Sequence, residues 1–170
     1  MAIRQIRTIG DEILTKECKP VKEMNERTLE LIEDMFETMY ENNGVGLAAP
    51  QVGIIRRACI VMETNVPEGE DEYFIELVNP EIIERDGEQE GGEGCLSLPE
   101  RYGVVKRPNH VKVRAQDRNG NTFEVEGTGL TARCFCHEID HLDGVLFTDR
   151  ATHMYTDEEM EELYGGDDKE

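Results

Sequence analysis

Leu130-Thr131-Ala132-Arg133-Cys134-Phe135-Cys136-His137-Glu138-Ile139-Asp140-His141-Leu142, followed by Asp143-Gly144, is the stretch that decides the architecture of this chain. Leu130, Cys134 and His137 fall along one stripe, and Asp143-Gly144 makes a natural stop, so the spacing predicts a helix over about 128–142. Inside it His137-Glu138-Ile139-Asp140-His141 is an H-E-x-x-H sequence. Four residues advance an α-helix by about 400°, so both imidazoles emerge on one face and can reach one cation at about 2 Å. Glu138 lies one step round. From there a carboxylate can take the proton of a water held by the cation without being a ligand itself.

Two imidazoles need a third partner, and several routes to one are closed. The longer form of the motif, H-E-x-x-H-x-x-G-x-x-H, has Gly144 in register, but Phe147 stands where the last His belongs. A Glu some way downstream would come from 158–162, a run that reads as a solvated acidic face. Cys134 shares the helix face, but it is seven residues from His141, roughly 10 Å along the axis. Cys18, Cys59, Cys95 and Cys136 remain. Cys136 points about 100° away around the helix. Cys95 sits in Glu93-Gly94-Cys95-Leu96-Ser97-Leu98-Pro99, after glycines that let backbone approach a site closely. Residue types alone leave this choice open.

Outward from the motif the chain alternates helix and strand signals. Residues 25–43 predict a helix: Leu29, Ile32, Met35, Phe36, Met39 and Tyr40 recur at three- and four-residue steps as a core stripe, with Glu30, Glu33, Asp34 and Glu37 between them. Asn25 is its expected cap and Asn42-Asn43-Gly44 its stop. Residues 58–62 and 73–78 read as buried strands, after which Pro80, Gly87 and the 88–93 stretch are expected to interrupt. From 109 to 127 a hairpin is expected, turning at Asn119-Gly120. A short acidic helix capped by Thr156 should run to 164. With no repeat and no Pro/Ser-rich linker, residues 1–164 are expected as one domain and 165–170 as a disordered acidic tail.

The 170 residues carry 18 basic and 38 acidic side chains, a formal charge of −20. Such a chain repels nucleic acid and anionic membranes. No apolar run approaches the roughly 20 residues of a membrane span. The first residues carry charge where a signal peptide needs its apolar centre. Five scattered cysteines read as the reduced thiols of a cytoplasmic protein, with Cys18 and Cys59 filling space in the core. At this length folding hides roughly 70% of the surface, enough for a core without disulfides.

Three blocks stand in a telling order: Gly44-Val45-Gly46-Leu47-Ala48-Ala49-Pro50-Gln51, Glu93-Gly94-Cys95-Leu96-Ser97, and His137-Glu138-Ile139-Asp140-His141. In these the chain resembles the peptide deformylase family, over residues 3–150. The resemblance implies an α+β fold of mostly antiparallel strands packed around a central helix that carries the H-E-x-x-H motif. It implies that Cys95, His137 and His141 hold one divalent metal with an open fourth position, Fe2+ in the cell. A thiolate with two imidazoles would also accept Zn2+, Ni2+ or Co2+. The implied reaction removes the N-formyl group from the N-terminal formylmethionine of newly made polypeptides and releases formate. Glu138 would shuttle the proton, and the Gln51 amide with the Leu96 backbone N–H would hold the oxyanion. The Gly46 segment fits an edge that lies against an extended peptide, with Val45 and Leu130 as walls of a methionine pocket.

The chain departs from the family pattern in several places. Cys136 stands where many relatives have Gln. Arg133 stands where they often have an aliphatic residue; its stem is expected to line the pocket with the charge at the rim, or else to face solvent. The C-terminal helix is acidic where bacterial relatives can carry a basic helix proposed to dock on the ribosome, so docking by that route is not expected. Glu93 and Arg107 are expected as a pair on the surface, or as a bridge bracing the Cys95 loop.

Overall fold

In the computed structural model, residues 2–164 are described; the tail expected over 165–170 lies outside them. The elements in chain order are α1 (Glu26–Glu41), β1 (Gly46–Ala48), β2 (Ala58–Glu63), β3 (Tyr73–Asp86), β4 (Gln89–Cys95), β5 (Leu98–Arg107), β6 (His110–Gln116), β7 (Thr122–Thr128), α2 (Leu130–Leu142), α3 (Phe147–Arg150), β8 (His153–Met154) and α4 (Asp157–Tyr164). The strands form two sheets, β1-β2-β3-β6-β7 and β4-β5-β8. Every ladder between them is antiparallel. This is the α+β class expected, with the H-E-x-x-H helix α2 at its centre.

The five-stranded sheet is covered on both faces near β1 and β2, which is why β2 is apolar from Ala58 to Met62. Cys59 and Val61 point toward Phe135, Ile139 and Leu142 of α2, whereas Ala58 and Ile60 point toward Leu31, Met35 and Met39 of α1. The period-two alternation of a strand thus feeds two cores at once. A third cluster of Leu14, Leu98, Val105, Leu146 and Phe147 backs the smaller sheet. Because α2 lies between the sheets, all but two of its thirteen residues are buried, as the all-round burial of a central helix requires.

Helix α1 begins and ends as expected. The Asn25 side chain accepts from Thr28 N at 3.0 Å, and Asn43 takes a left-handed φ of 56° at the stop. Its buried face is shifted from the predicted stripe. Phe36 is 37% and Tyr40 67% exposed, while Asp34 is buried, because Arg4 and the Ala2 N–H pair with its carboxylate at 2.9 and 2.7 Å.

Gly87 and Glu88 interrupt as expected, between β3 and β4, but Pro80 and residues 89–93 do not break the strands. β3 continues to Asp86 by passing Asn79 (φ 51°) and Pro80 through a bulge, where a missing N–H costs no ladder bond. Residues 89–95 pair with β5 despite their glycines and glutamates. Thr128 ends β7, so α2 starts at Leu130. In α4, Glu159 N donates to Thr156 Oγ1 and Thr156 N donates to Glu159 Oε1, a reciprocal cap.

Candidate active site

Each of the three sequence blocks delivers its polar groups to one cleft. β1 is the edge of the five-stranded sheet and β4 an edge of the smaller one, and α2 forms the floor between them. The cleft holds about 320 Å³. Cys95 ends β4, and the pairing of Cys95 with Leu98 leaves Leu96 and Ser97 as a two-residue turn outside the ladder.

On the floor, Cys95 Sγ is 3.3 Å from His141 Nε2, and His141 Nε2 is 3.2 Å from His137 Nε2. All three donor atoms lie within 4.8 Å of one another. One sulfur and two ring nitrogens that converge so closely suit a divalent metal with an open fourth corner. Burial would lower the His137 pKa, but without a cation between the three groups the anionic surroundings of Glu138, Cys95 and Glu93 raise it well above its ordinary value. Burial and the neighbouring His137 lower the His141 pKa well below its ordinary value, which keeps that imidazole neutral, as a ligand must be. Cys134 lines the cleft but is not in the cluster, and burial pushes its thiol up to about 12. Cys136 is buried in the apolar core, as are Cys18 and Cys59.

Glu138 is buried beside the cluster, and its Oε1 has no hydrogen-bond partner among the described residues. Burial raises its carboxyl to about 7. A Cβ on Gly46 would stand 2.5 Å from Glu138 Oε2, so the edge strand reaches the carboxylate only because residue 46 has no side chain. Gly46→Ala should therefore force the edge strand and the Glu138 carboxylate apart, a displacement that a structure of the variant would show.

Gln51 is buried, not an exposed loop amide. Its Oε1 accepts from Ala48 N at 3.0 Å, and its Nε2 donates to Ser97 Oγ at 3.0 Å and toward Cys95 Sγ at 3.5 Å. Val45 and Leu130 line the cleft and are partly exposed there, at 37% and 48%.

Arg133 departs from the sequence reading, whereas Glu93 does pair with Arg107, as a buried bridge and not on the surface. Arg133 does line the cleft, but its charge is not out at the rim or in bulk solvent: the residue is 6% exposed, and Nη1 turns inward to donate to Glu93 Oε2 at 2.8 Å. Glu93 also takes two N–H groups of Arg107, at 2.6 and 3.2 Å, and faces His137 Nδ1 at 2.5 Å. Burial would raise the Glu93 carboxyl, but His137 and Arg107 outweigh it and hold the group far below the carboxylate range. Asp140, the fourth residue of the motif, accepts from Arg107 Nη1 at 2.6 Å and from Arg150 Nε at 2.6 Å. Sequence reasoning missed Arg133 and Asp140 as members of this network. A lone Arg on the apolar stripe of a buried helix was the signal for the first.

A thiol and two imidazoles converging on one point, beside a buried carboxylate at the foot of an open cleft, are the donor set and the proton carrier that a metal-dependent hydrolase needs. Residues 3–157 match the family model for polypeptide deformylase. A peptide deformylase of Thermoanaerobacter pseudethanolicus is 53% identical over 163 residues, covering 96% of this chain and 98% of that protein. The crystal structure of peptide deformylase from Thermotoga maritima superposes with a TM-score of 0.81 at 42% identity, covering 89% of this chain and 99% of that one. A Met-Ala-Ser-bound class I type b peptide deformylase from Acinetobacter baumannii also gives 0.81, at 38% identity, covering 88% of this chain and all of that one. The chain belongs to the polypeptide deformylase family. Its reaction is the hydrolytic removal of the formyl group from the N-terminal methionine of nascent polypeptides.

Proposed function

We propose that Cys95, His137 and His141 hold one divalent metal ion, and that Glu138, Gln51 and Leu96 carry the deformylation around it. The observation that carries this reading is the convergence of one Sγ and two Nε2 atoms within 4.8 Å, next to a buried Glu138 Oε1 that has no partner among the described residues. The bound metal supplies Lewis acidity and lowers the pKa of a water toward neutrality.

Glu138 accepts the proton of the attacking water and passes it to the departing amine as the formyl C–N bond breaks. The products are formate and a free N-terminus. The Gln51 Nε2, already aimed at Cys95 Sγ, and the Leu96 N–H, in its turn outside the ladder, donate to the oxyanion. One such donor is worth about 3–4 kcal/mol in the transition state. The backbone of Val45 and Gly46, at the sheet edge, pairs with the extended substrate. The Met-Ala-Ser bound by the Acinetobacter relative is the product end that such a cleft would release. The methionine side chain then lies between Val45 and Leu130. Residues 1–164 act as one catalytic unit in the cytoplasm, and Fe2+ is the working metal. The acidic face of α4, with three acidic residues in its first turn, offers no basic surface for ribosome docking.

The site assignment is tested by metal content. Protein purified anaerobically with iron(II) should bind one metal per chain. Cys95→Ala should lose it, while Cys134→Ala should keep it. Metal analysis with the opposite pattern would move the sulfur ligand to Cys134.

A further inference from the structure

Leu130, Arg133, Cys134 and His137 stand at i, i+3, i+4 and i+7 on α2, and all four line the cleft. The formyl carbon reacts beside His137 and Glu138, so the first side chain of the substrate runs along this stripe toward Leu130. One helical turn, about 6 Å, separates the reacting centre from the level of Arg133 and Cys134. The end of a methionine side chain therefore meets a guanidinium in a pocket that thioether chemistry alone would fill with aliphatic groups.

That guanidinium has donors to spare. Of its five N–H groups, the two on Nη1 go to Glu93 Oε2 (2.8 Å) and the Val105 carbonyl (3.1 Å), and Nη2 reaches Gln89 Oε1 only at 3.5 Å. Among the described residues nothing accepts from Nε–H, and Nε is not one of the buried atoms sealed without a partner. Arg133 as a whole is 6% exposed and lines the cleft, so this access is through the cleft. A thioether is a weak acceptor and leaves such a donor poorly used. A sulfoxide oxygen, one bond beyond the sulfur, is a strong acceptor that an apolar pocket would bury at a penalty.

We propose that the enzyme also deformylates N-formyl peptides whose first residue is methionine sulfoxide, the sulfoxide oxygen accepting from the Arg133 guanidinium. The inference rests on assigning this cleft to the formylmethionine end of the substrate. The reaction is the same hydrolysis: the formyl C–N bond breaks, water adds to the formyl carbon, one proton passes to the amine, and the sulfoxide leaves unchanged. Oxidation of the methionine precedes binding, and the enzyme performs no redox step. Such a site would clear formyl groups from chains whose initiator methionine has been oxidised.

The test compares formate release from formyl-Met-Ala-Ser and from the better-cleaved sulfoxide epimer of the same peptide. Their kcat/KM values are taken as a ratio within one enzyme preparation, so a general loss cancels. In wild type the sulfoxide peptide should be cleaved within about tenfold of the methionine peptide. In Arg133→Met, and in Arg133→Lys, which keeps a cation on Glu93, the ratio should fall by about tenfold or more, the usual weight of a hydrogen bond to a charged group. A wild-type ratio below about one in a hundred overturns the inference without any variant, as does a ratio unchanged in both. Failure of wild type on formyl-Met-Ala-Ser itself would instead defeat the family reading, so the two failures are distinct.

Discussion

Glu138→Gln slows formate release from formyl-Met-Ala-Ser by about a hundredfold to ten-thousandfold, while metal content stays at the wild-type level. The range is that of a positioned general base. Glutamine keeps the shape of the side chain, and nothing in the cluster of Cys95, His137 and His141 depends on the Glu138 oxygens. The variant lacks an oxygen able to take a proton at working pH. Burial has lifted the native carboxyl to about 7, so it can both accept a proton from water and give it up to an amine. The absent partner at Oε1 fits this role: a structural carboxylate sealed so deeply would be expected to have its hydrogen bonds filled by the protein. Loss of metal from Glu138→Gln would make the residue part of the binding set. A wild-type rate would send the proton by another route.

The parts of the fold that could be read from sequence are those whose local pattern and tertiary role agree. The β6–β7 hairpin alternates Val111, Val113 and Ala115 inward, and its turn residues stand where the loop needs them. Two His at i and i+4 share a face in any helix, so the heart of the site follows from helix geometry alone. β4 was not readable. Gln89-Glu90-Gly91-Gly92-Glu93-Gly94 has neither β-propensity nor alternation, and it becomes a strand because β5 offers a full ladder and Glu93 turns inward onto Arg107 and His137. For the same reason spacing could not choose Cys95 as the third ligand. Its proximity to His141 is made by a sheet edge 46 residues away in sequence, and it was the resemblance of the Glu93–Ser97 block that pointed to it. Tyr40 failed in the opposite sense. It continues the apolar stripe of α1, but on the flank it shares with Phe36, where Phe36 is 37% and Tyr40 67% exposed.

Glu93→Ala should be the most destabilising single change at the site, costing about 3–5 kcal/mol, because it removes the anion and leaves its cations behind. Arg107 and Arg133 are 4% and 6% exposed, and without Glu93 they face each other in a dry interior. Asp140 still holds Arg107 at 2.6 Å, but among the described residues no other carboxylate is paired with Arg133. For a chain of this size the loss corresponds to a melting temperature lower by about 10 °C. Metal affinity should fall as well, by about tenfold to a hundredfold, since His137 Nδ1 loses the group that fixes its ring. The contrast is Glu124→Ala. That residue pairs with Arg114 across β6 and β7 with both side chains about half exposed, and its removal should cost less than about 1 kcal/mol. Thermal melts of the two variants, with metal titrations of the first, decide the matter. If Glu93→Ala melts as Glu124→Ala does, the two arginines are solvated in solution, and the bracing of His137 by a buried anion is wrong.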